Sequence, residues 1–179
     1  LDSSSLAILI YEMINRTLNK IGIEKTINRF NIDKKIINKN SSNIIKELCH
    51  KLLHTAYQKT ENSSIKTIES SKKISDFVGS NHYEWSIDEE VSSIVKKISK
   101  KTQINYNWEN HDVSLQNIQA RVRSPFIWFI ANTNNLLLLS TSNRSESSVG
   151  YSTMDGDSSG SLAPLAGIDK FFLRKLINY

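Results

Sequence analysis

Four consecutive leucines, residues 136–139, run straight into Ser140-Thr141-Ser142-Asn143-Arg144 and, two residues on, Glu146. An apolar run of that length predicts a strand buried on both faces. Hydroxyls and a carboxylate directly after it mark the carboxyl edge of a parallel sheet, where open α/β folds place their ligands. Downstream, Asp155-Gly156-Asp157-Ser158-Ser159-Gly160 is acidic, glycine-bearing and too polar for a core. Carboxylates beside Gly and Ser suit magnesium and phosphate, because hard cations take oxygen ligands and glycine admits backbone close to a phosphate. The same composition also suits an ordinary surface loop, and residue types alone leave both readings open.

The rest of the chain supplies elements for such a sheet. Leu6, Leu9, Ile10, Met13, Ile14 and Leu18 recur at helical spacing. They predict an amphipathic helix from Ser3 to about Lys20, with Asp2 as N-cap and Ser3, Ser4 and Ser5 in the first turn. Its free N–H groups and positive dipole end could hold an anion; a plain capped helix is the alternative. Residues 22–47, biased to Lys, Asn and Ile, read as a helical or partly mobile insertion that touches the body through Ile44, Ile45 and Leu48. Residues 49–57 read as a strand, followed by a turn over 57–64 with Asn62 or Ser63 capping. The next helix carries Ile65, Ile68, Ile74, Phe77 and Val78 and closes at Gly79. Residues 82–87 read as a second strand, and Asp88 caps a helix with Val91, Ile94, Val95 and Ile98 on one face. Strand, helix, strand, helix at these lengths predicts βαβ units and a parallel sheet. A long helix is expected over 112–132, kinked at Pro125, and a last one over 171–179.

At 179 residues the chain can build one domain with its own core. Its formal charge of +5 could favour polyanions, but lysines are spread along the chain and read as solvated helix faces. A nucleic-acid surface would need aromatics among clustered basic residues. Trp85, Trp108 and Trp128 instead sit among apolar or acidic neighbours, so no nucleic-acid partner is expected. No apolar run approaches the ~18 residues of a membrane span, and no secretory signal opens the chain, so no membrane partner is expected either. The single cysteine, Cys49, excludes an internal disulfide framework and fits a reducing, cytoplasmic compartment. Cys49 lacks a histidine at motif spacing or a glycine-rich elbow and reads as a small buried hydrophobe. His50 and His54, on the expected strand, are a same-face pair from which no metal site is expected.

Longer patterns complete the picture: residues 141–151 (TSNRSESSVGY), Asp155-Gly156-Asp157, residues 164–170 (PLAGIDK), and residues 116–123 (QNIQARVR). Together they resemble NAD+ synthetase, an N-type ATP pyrophosphatase, in wording closer to the glutamine-dependent branch than to the short ammonia-dependent one. The resemblance is firm over about 52–179, fair over 1–18 and missing over about 22–47. It implies a Rossmann-like parallel sheet flanked by helices, of the adenine nucleotide alpha-hydrolase type, with ATP and Mg2+ as cofactors. It also implies adenylation of deamido-NAD by ATP, then amidation by ammonia drawn from glutamine, in a homodimer or larger homo-oligomer.

By the same resemblance Asp2 and Glu146 ligate magnesium, and Ser3, Thr141 and Lys170 contact ATP. Arg121, Asn117 and Asp157 then contact deamido-NAD. Taken alone, Arg121 and Arg123 read as surface salt-bridge donors, and it is the resemblance that reverses this. Leu1-Asp2-Ser3 matches the last three positions of a Ser-Gly-Gly-x-Asp-Ser phosphate loop whose Ser-Gly-Gly lies before Leu1. The amidase domain with its cysteine nucleophile is likewise outside this sequence. The chain is therefore expected to be a synthetase domain cut at both ends and inactive as written. It departs from the short enzymes at Met154, where they carry a basic residue, and at Ser161, where they carry an acidic one. A different ATP pyrophosphatase, an amidotransferase or tRNA-modifying enzyme, would share Asp2-Ser3 but lack the 119–121 and 141–151 signatures.

Overall fold

The apolar spacing near the N-terminus folds as expected but runs further: α1 spans Asp2–Arg29. It is broken once, at Gly22, where φ of 77° and ψ of 165° leave the helical region, a conformation that glycine adopts without strain. In this computed structural model, residues 1–34, 37–38, 41 and 43–177 are described. They form two units. The first comprises Leu1, Ser3–Tyr57 and Ser63–Glu84; the second comprises Asp2, Gln58–Asn62 and Trp85–Tyr179.

In the first unit, Ile14 and Ile27 of α1 meet Ile37, Leu48 and Cys49 in a buried cluster, with Ile44 and Ile45 packed against it. The contacts expected of Ile44, Ile45 and Leu48 are therefore present. Leu48 and Cys49 lie on α2 (Ile44–Leu52), which corrects the reading of residues 49–57 as one strand. Ile44, Ile45, Leu48, Cys49 and Leu52 recur at helical spacing, so a helix buries them on one face and a strand would split them between two. The chain becomes extended at Leu53, and β1 is His54–Lys59. His50 is thus on a helix and His54 on a strand, not a same-face pair on one strand.

Helix α3 (Ile65–Val78) is capped by Ser64, whose hydroxyl accepts from the Thr67 amide, and it closes at Gly79. The cap lies one residue beyond Ser63 and two beyond Asn62, the residues expected to supply it. Strand β2 (Asn81–Ser86) pairs with β1. The Asn81 amide donates to Leu53 O at 2.9 Å and the Ile87 amide to Lys59 O at 3.1 Å. The offset is the same at both ends of the pair, so the strands are parallel and α3 is their crossover.

In the second unit, α4 (Asp88–Thr102) begins one residue after its N-cap, Ile87. Asp88 is therefore not the cap but the first helical residue. Its carboxylate accepts from Ser86 Oγ and from the Glu61 amide, and a negative charge there also suits the helix dipole. The same one-residue shift holds for α1, where Leu1 is the cap and Asp2 opens the helix. Helix α5 (Asp112–Thr133) packs on α4 and runs through Pro125.

The four leucines do not form the expected strand. Leu139 makes a single parallel bridge to Leu162, flanked by Ser140 N to Leu162 O and Ser161 N to Leu138 O, both 2.8 Å. Leu137 is 64% exposed. Burial on both faces needs covering elements on both sides of a paired strand, and among the described residues this run has one short partner. Two short helices complete the unit, α6 (Arg144–Ser148) and α7 (Lys170–Ile177). The last two residues of the expected 171–179 helix lie outside the described residues. Among the described residues no helix is long and apolar enough to cross a membrane.

Candidate functional site

Asn143 ends the leucine-rich segment fully buried, and its side chain starts α6. Its Oδ1 accepts from the Glu146 amide at 3.1 Å, while Glu146 Oε2 accepts from the Asn143 amide at 3.4 Å. This reciprocal capping box fixes the Glu146 rotamer. The other oxygen of Glu146 is left for the site: Oε1 accepts from Lys170 Nζ at 3.0 Å. The same ammonium lies 3.2 Å from Asp2 Oδ2.

Lys170 is the first residue of α7, and its amide donates to Ser145 Oγ at 3.0 Å. The Arg144 amide donates to Ile168 O at 2.9 Å, and Arg144 Nη2 pairs with Asp169 Oδ2 at 2.7 Å. Asp169 Oδ1 in turn accepts from the Phe172 amide at 2.8 Å. The starts of α6 and α7 are thereby tied together, and the tie sets where Lys170 stands relative to Glu146. The hydrogen bond to Glu146, then the contact with Asp2, holds the Lys170 ammonium above its usual pKa. The Phe172 amide, then Arg144, holds Asp169 below the usual carboxylate value.

The acidic loop is built differently. Asn117 and Arg121 stand one turn apart on α5. Asn117 Oδ1 accepts from Thr153 Oγ1 at 2.9 Å, and Arg121 Nε donates to Met154 O at 3.1 Å. Asp157 Oδ2 accepts from the Thr153 amide at 2.9 Å, and its carbonyl accepts from Ser140 Oγ and Ser142 Oγ at 3.0 and 3.1 Å. Two glycines allow this close docking. A Cβ on Gly156 would stand 2.8 Å from the Ala120 carbonyl carbon, and one on Gly160 would stand 2.6 Å from the Ser140 nitrogen. Trp128 Nε1 adds a hydrogen bond to Ser159 Oγ at 2.8 Å.

Of the residues singled out in the sequence, Asp2, Glu146 and Lys170 form one cluster. Asn117, Arg121 and Asp157 share the docked loop. Thr141 is half-buried between Ser140 and Ser142, the two hydroxyls that hold that loop, and Ser3 is exposed in the first turn of α1. Sequence reasoning missed Asn143, Ser145 and Asp169. The signal for Asn143 was present, since Asn followed three residues later by Glu is a capping-box pattern.

The donor set suits a hard cation. Asp2 Oδ2 and Glu146 Oε1 converge on one point, and Asp2 Oδ1 is buried without a hydrogen-bond partner. Among the described residues no group of three or more His, Cys, Asp or Glu side chains could hold a metal. Two carboxylates fit magnesium, which is held by one or two carboxylates together with water and substrate phosphates.

The family profile described as NAD synthase matches residues 40–179. The crystal structure of a glutamine-dependent NAD(+) synthetase from Cytophaga hutchinsonii matches with a TM-score of 0.93 and 40% identity, covering 99% of this chain and 31% of that one. Glutamine-dependent NAD+ synthetase from Acinetobacter baumannii, solved in complex with adenosine diphosphate, matches with a TM-score of 0.63 and 26% identity, over 69% of this chain and 23% of that one. The glutamine-dependent NAD(+) synthetase of Saccharomyces cerevisiae is 33% identical over 149 residues, which are 74% of this chain and 21% of that protein. The chain thus spans less than a third of the length of each relative. On a profile match over most of its length and a fold shared almost from end to end with the Cytophaga hutchinsonii synthetase, the chain belongs to the NAD synthase family.

Proposed function

We propose that this chain supplies the ATP-using part of a glutamine-dependent NAD+ synthetase. In the first step the nicotinate carboxylate of deamido-NAD attacks the α-phosphorus of ATP, and the bond to pyrophosphate breaks. In the second, ammonia released from glutamine attacks the acyl carbon, AMP leaves with the bonding pair, and the lost proton passes to solvent, giving NAD+. The observation that carries this reading is the convergence of Asp2, Glu146 and Lys170, which come from distant parts of the sequence, on one point.

Asp2 and Glu146 are the residues that would hold magnesium, which would supply positive charge against the departing pyrophosphate. Lys170, Ser3 and Thr141 would bind the ATP phosphates, with Lys170 bringing an ammonium that the site keeps protonated. Arg121, with its planar fork, would hold the deamido-NAD pyrophosphate, and Asn117 and Asp157 would position the rest of that substrate. No side chain acts as nucleophile; the residues orient the reactants and stabilise charge as it develops. The same reading includes a homodimer and a cytoplasmic location. The buried Cys49 thiol, pushed up to about 11 by desolvation, is suited to structure and not to redox chemistry.

The test is formation of AMP and NAD+ from ATP, Mg2+ and deamido-NAD, with ammonia and then glutamine as nitrogen source, by purified protein extended upstream through the phosphate loop and the amidase domain and downstream of Tyr179. Turnover with both sources is expected. Absence of AMP from folded protein that binds ATP overturns the reading.

A further inference from the structure

Resting on that reading, we infer that Lys170 doubles as a resident counter-ion of the cation site. Its ammonium and an incoming divalent cation compete for the same oxygens of Asp2 and Glu146, so metal binds tightly only together with a nucleotide whose phosphates draw the ammonium away.

The geometry separates the fixed parts from the movable one. Glu146 is held by its capping box, with Oε2 on the Asn143 amide. Asp2 belongs to the first turn of α1. The Lys170 backbone is anchored through its amide on Ser145 Oγ, while its side chain, 39% exposed, is held by the two carboxylates it contacts. A four-carbon stem with rotatable bonds can carry the ammonium away without moving α7. Nζ stands 3.0 Å from Glu146 Oε1 and 3.2 Å from Asp2 Oδ2, so it already occupies the point where those oxygens meet. A divalent cation arriving there would face a like charge in contact unless the ammonium leaves. Once displaced, the ammonium is stabilised by nucleotide phosphate, and the carboxylates exchange one cation for another. The order of events follows: free metal is kept out, and metal–nucleotide is let in.

The experiment measures binding of Mn2+, as a paramagnetic substitute for Mg2+, by the electron spin resonance of the free ion, without nucleotide. Lys170→Met should bind Mn2+ on the order of tenfold more tightly than the unaltered protein, since the competing ion pairs are modest in strength. Lys170→Arg should stay weak, and Glu146→Gln should lose affinity. A measurement on unaltered protein guards against misfolding of the variants. Saturating Mn2+ without nucleotide should raise the rate at which acetic anhydride modifies Lys170, read by peptide mass spectrometry. Equal or weaker Mn2+ affinity in folded Lys170→Met, or an acetylation rate indifferent to Mn2+, overturns the inference while leaving the proposed reaction standing, provided Mn2+ binds with ATP. Failure of Mn2+ to bind even with ATP, in protein extended upstream through the phosphate loop, overturns the assignment of Asp2 and Glu146 as cation ligands and this inference with it.

Discussion

Arg144, the first residue of α6, and Asp169, the residue before α7, form an ion pair of 2.7 Å that joins the two helix starts holding Glu146 and Lys170. Because Asp169 also accepts from the Phe172 amide, its charged form is favoured in the folded chain and its pKa lies below the ordinary 3.8. A carboxyl with a depressed folded pKa stabilises the fold above its unfolded value and loses that contribution as pH falls through the folded one. The thermal midpoint of the unaltered protein should therefore exceed that of Asp169→Asn by a constant margin from neutral pH to about pH 5, and the margin should shrink on further acidification. A margin independent of pH would exclude the charge as its source.

Replacing Gly156 by Ala places a methyl group 2.8 Å from the Ala120 carbonyl carbon and 2.9 Å from its Cβ. Neither is the end of a flexible side chain, so the loop must lift from α5. A loss of about 1–3 kcal/mol is expected in denaturant unfolding, as for other overpacked sites. Because Arg121 and Asn117 also bind this loop, the affinity for deamido-NAD should fall with it. Unchanged stability and affinity would mean that the loop does not depend on this close approach.

Glu146→Gln tests charge separately from shape. Glutamine also completes a capping box, so α6 should persist and stability should change by less than about 1 kcal/mol. On the proposed reaction, adenylation should fall on the order of a hundredfold, the scale of losing one group that stabilises developing charge. The readout is AMP release beside a thermal melt. Full turnover would remove Glu146 from the machinery.

Arg121 spends Nε on Met154 O, and the rest of its exposed guanidinium remains for an anionic substrate. Arg121→Ala should raise KM for deamido-NAD about tenfold, the cost of one or two charge-assisted hydrogen bonds, with little change in kcat. Arg121→Lys should not restore it, because a point charge does not reproduce a planar fork. A drop in kcat at constant KM would place Arg121 in the chemical step instead.

Much of this architecture was legible in the residues. The helix of residues 65–78 and its glycine stop follow from periodicity and from the left-handed preference of Gly79. The parallel pairing of β1 with β2 follows from strand–helix–strand alternation. The misreadings have physical causes. Residues 49–52 look like a strand only when separated from Ile44 and Ile45, whose spacing with Leu48 and Leu52 is helical. Residues 136–139 have strand composition, but composition does not say whether anything covers a strand. The caps at Asp2 and Asp88 were misplaced by one residue, because an aspartate serves nearly as well inside the first turn as at the cap. Meeting points such as Asp2 with Lys170 cannot be read from local pattern at all. Only the resemblance of 1–3, 141–151 and 164–170 to a known family gave Asp2, Glu146 and Lys170 related roles.

Asp2 and Lys170 are separated by nearly the whole sequence, and this has a kinetic consequence. Local pieces such as β1–α3–β2 close short loops and can form early, whereas the contact between residues 2 and 170 closes one of the longest loops available to the chain. During synthesis, residue 2 waits until α7 has emerged before its carboxylate meets the ammonium. Any chain that stalls or misfolds before that point carries its helices and strands but no assembled site. Assembly of the Asp2–Glu146–Lys170 cluster is thus withheld until everything between residues 2 and 170 has been made and folded.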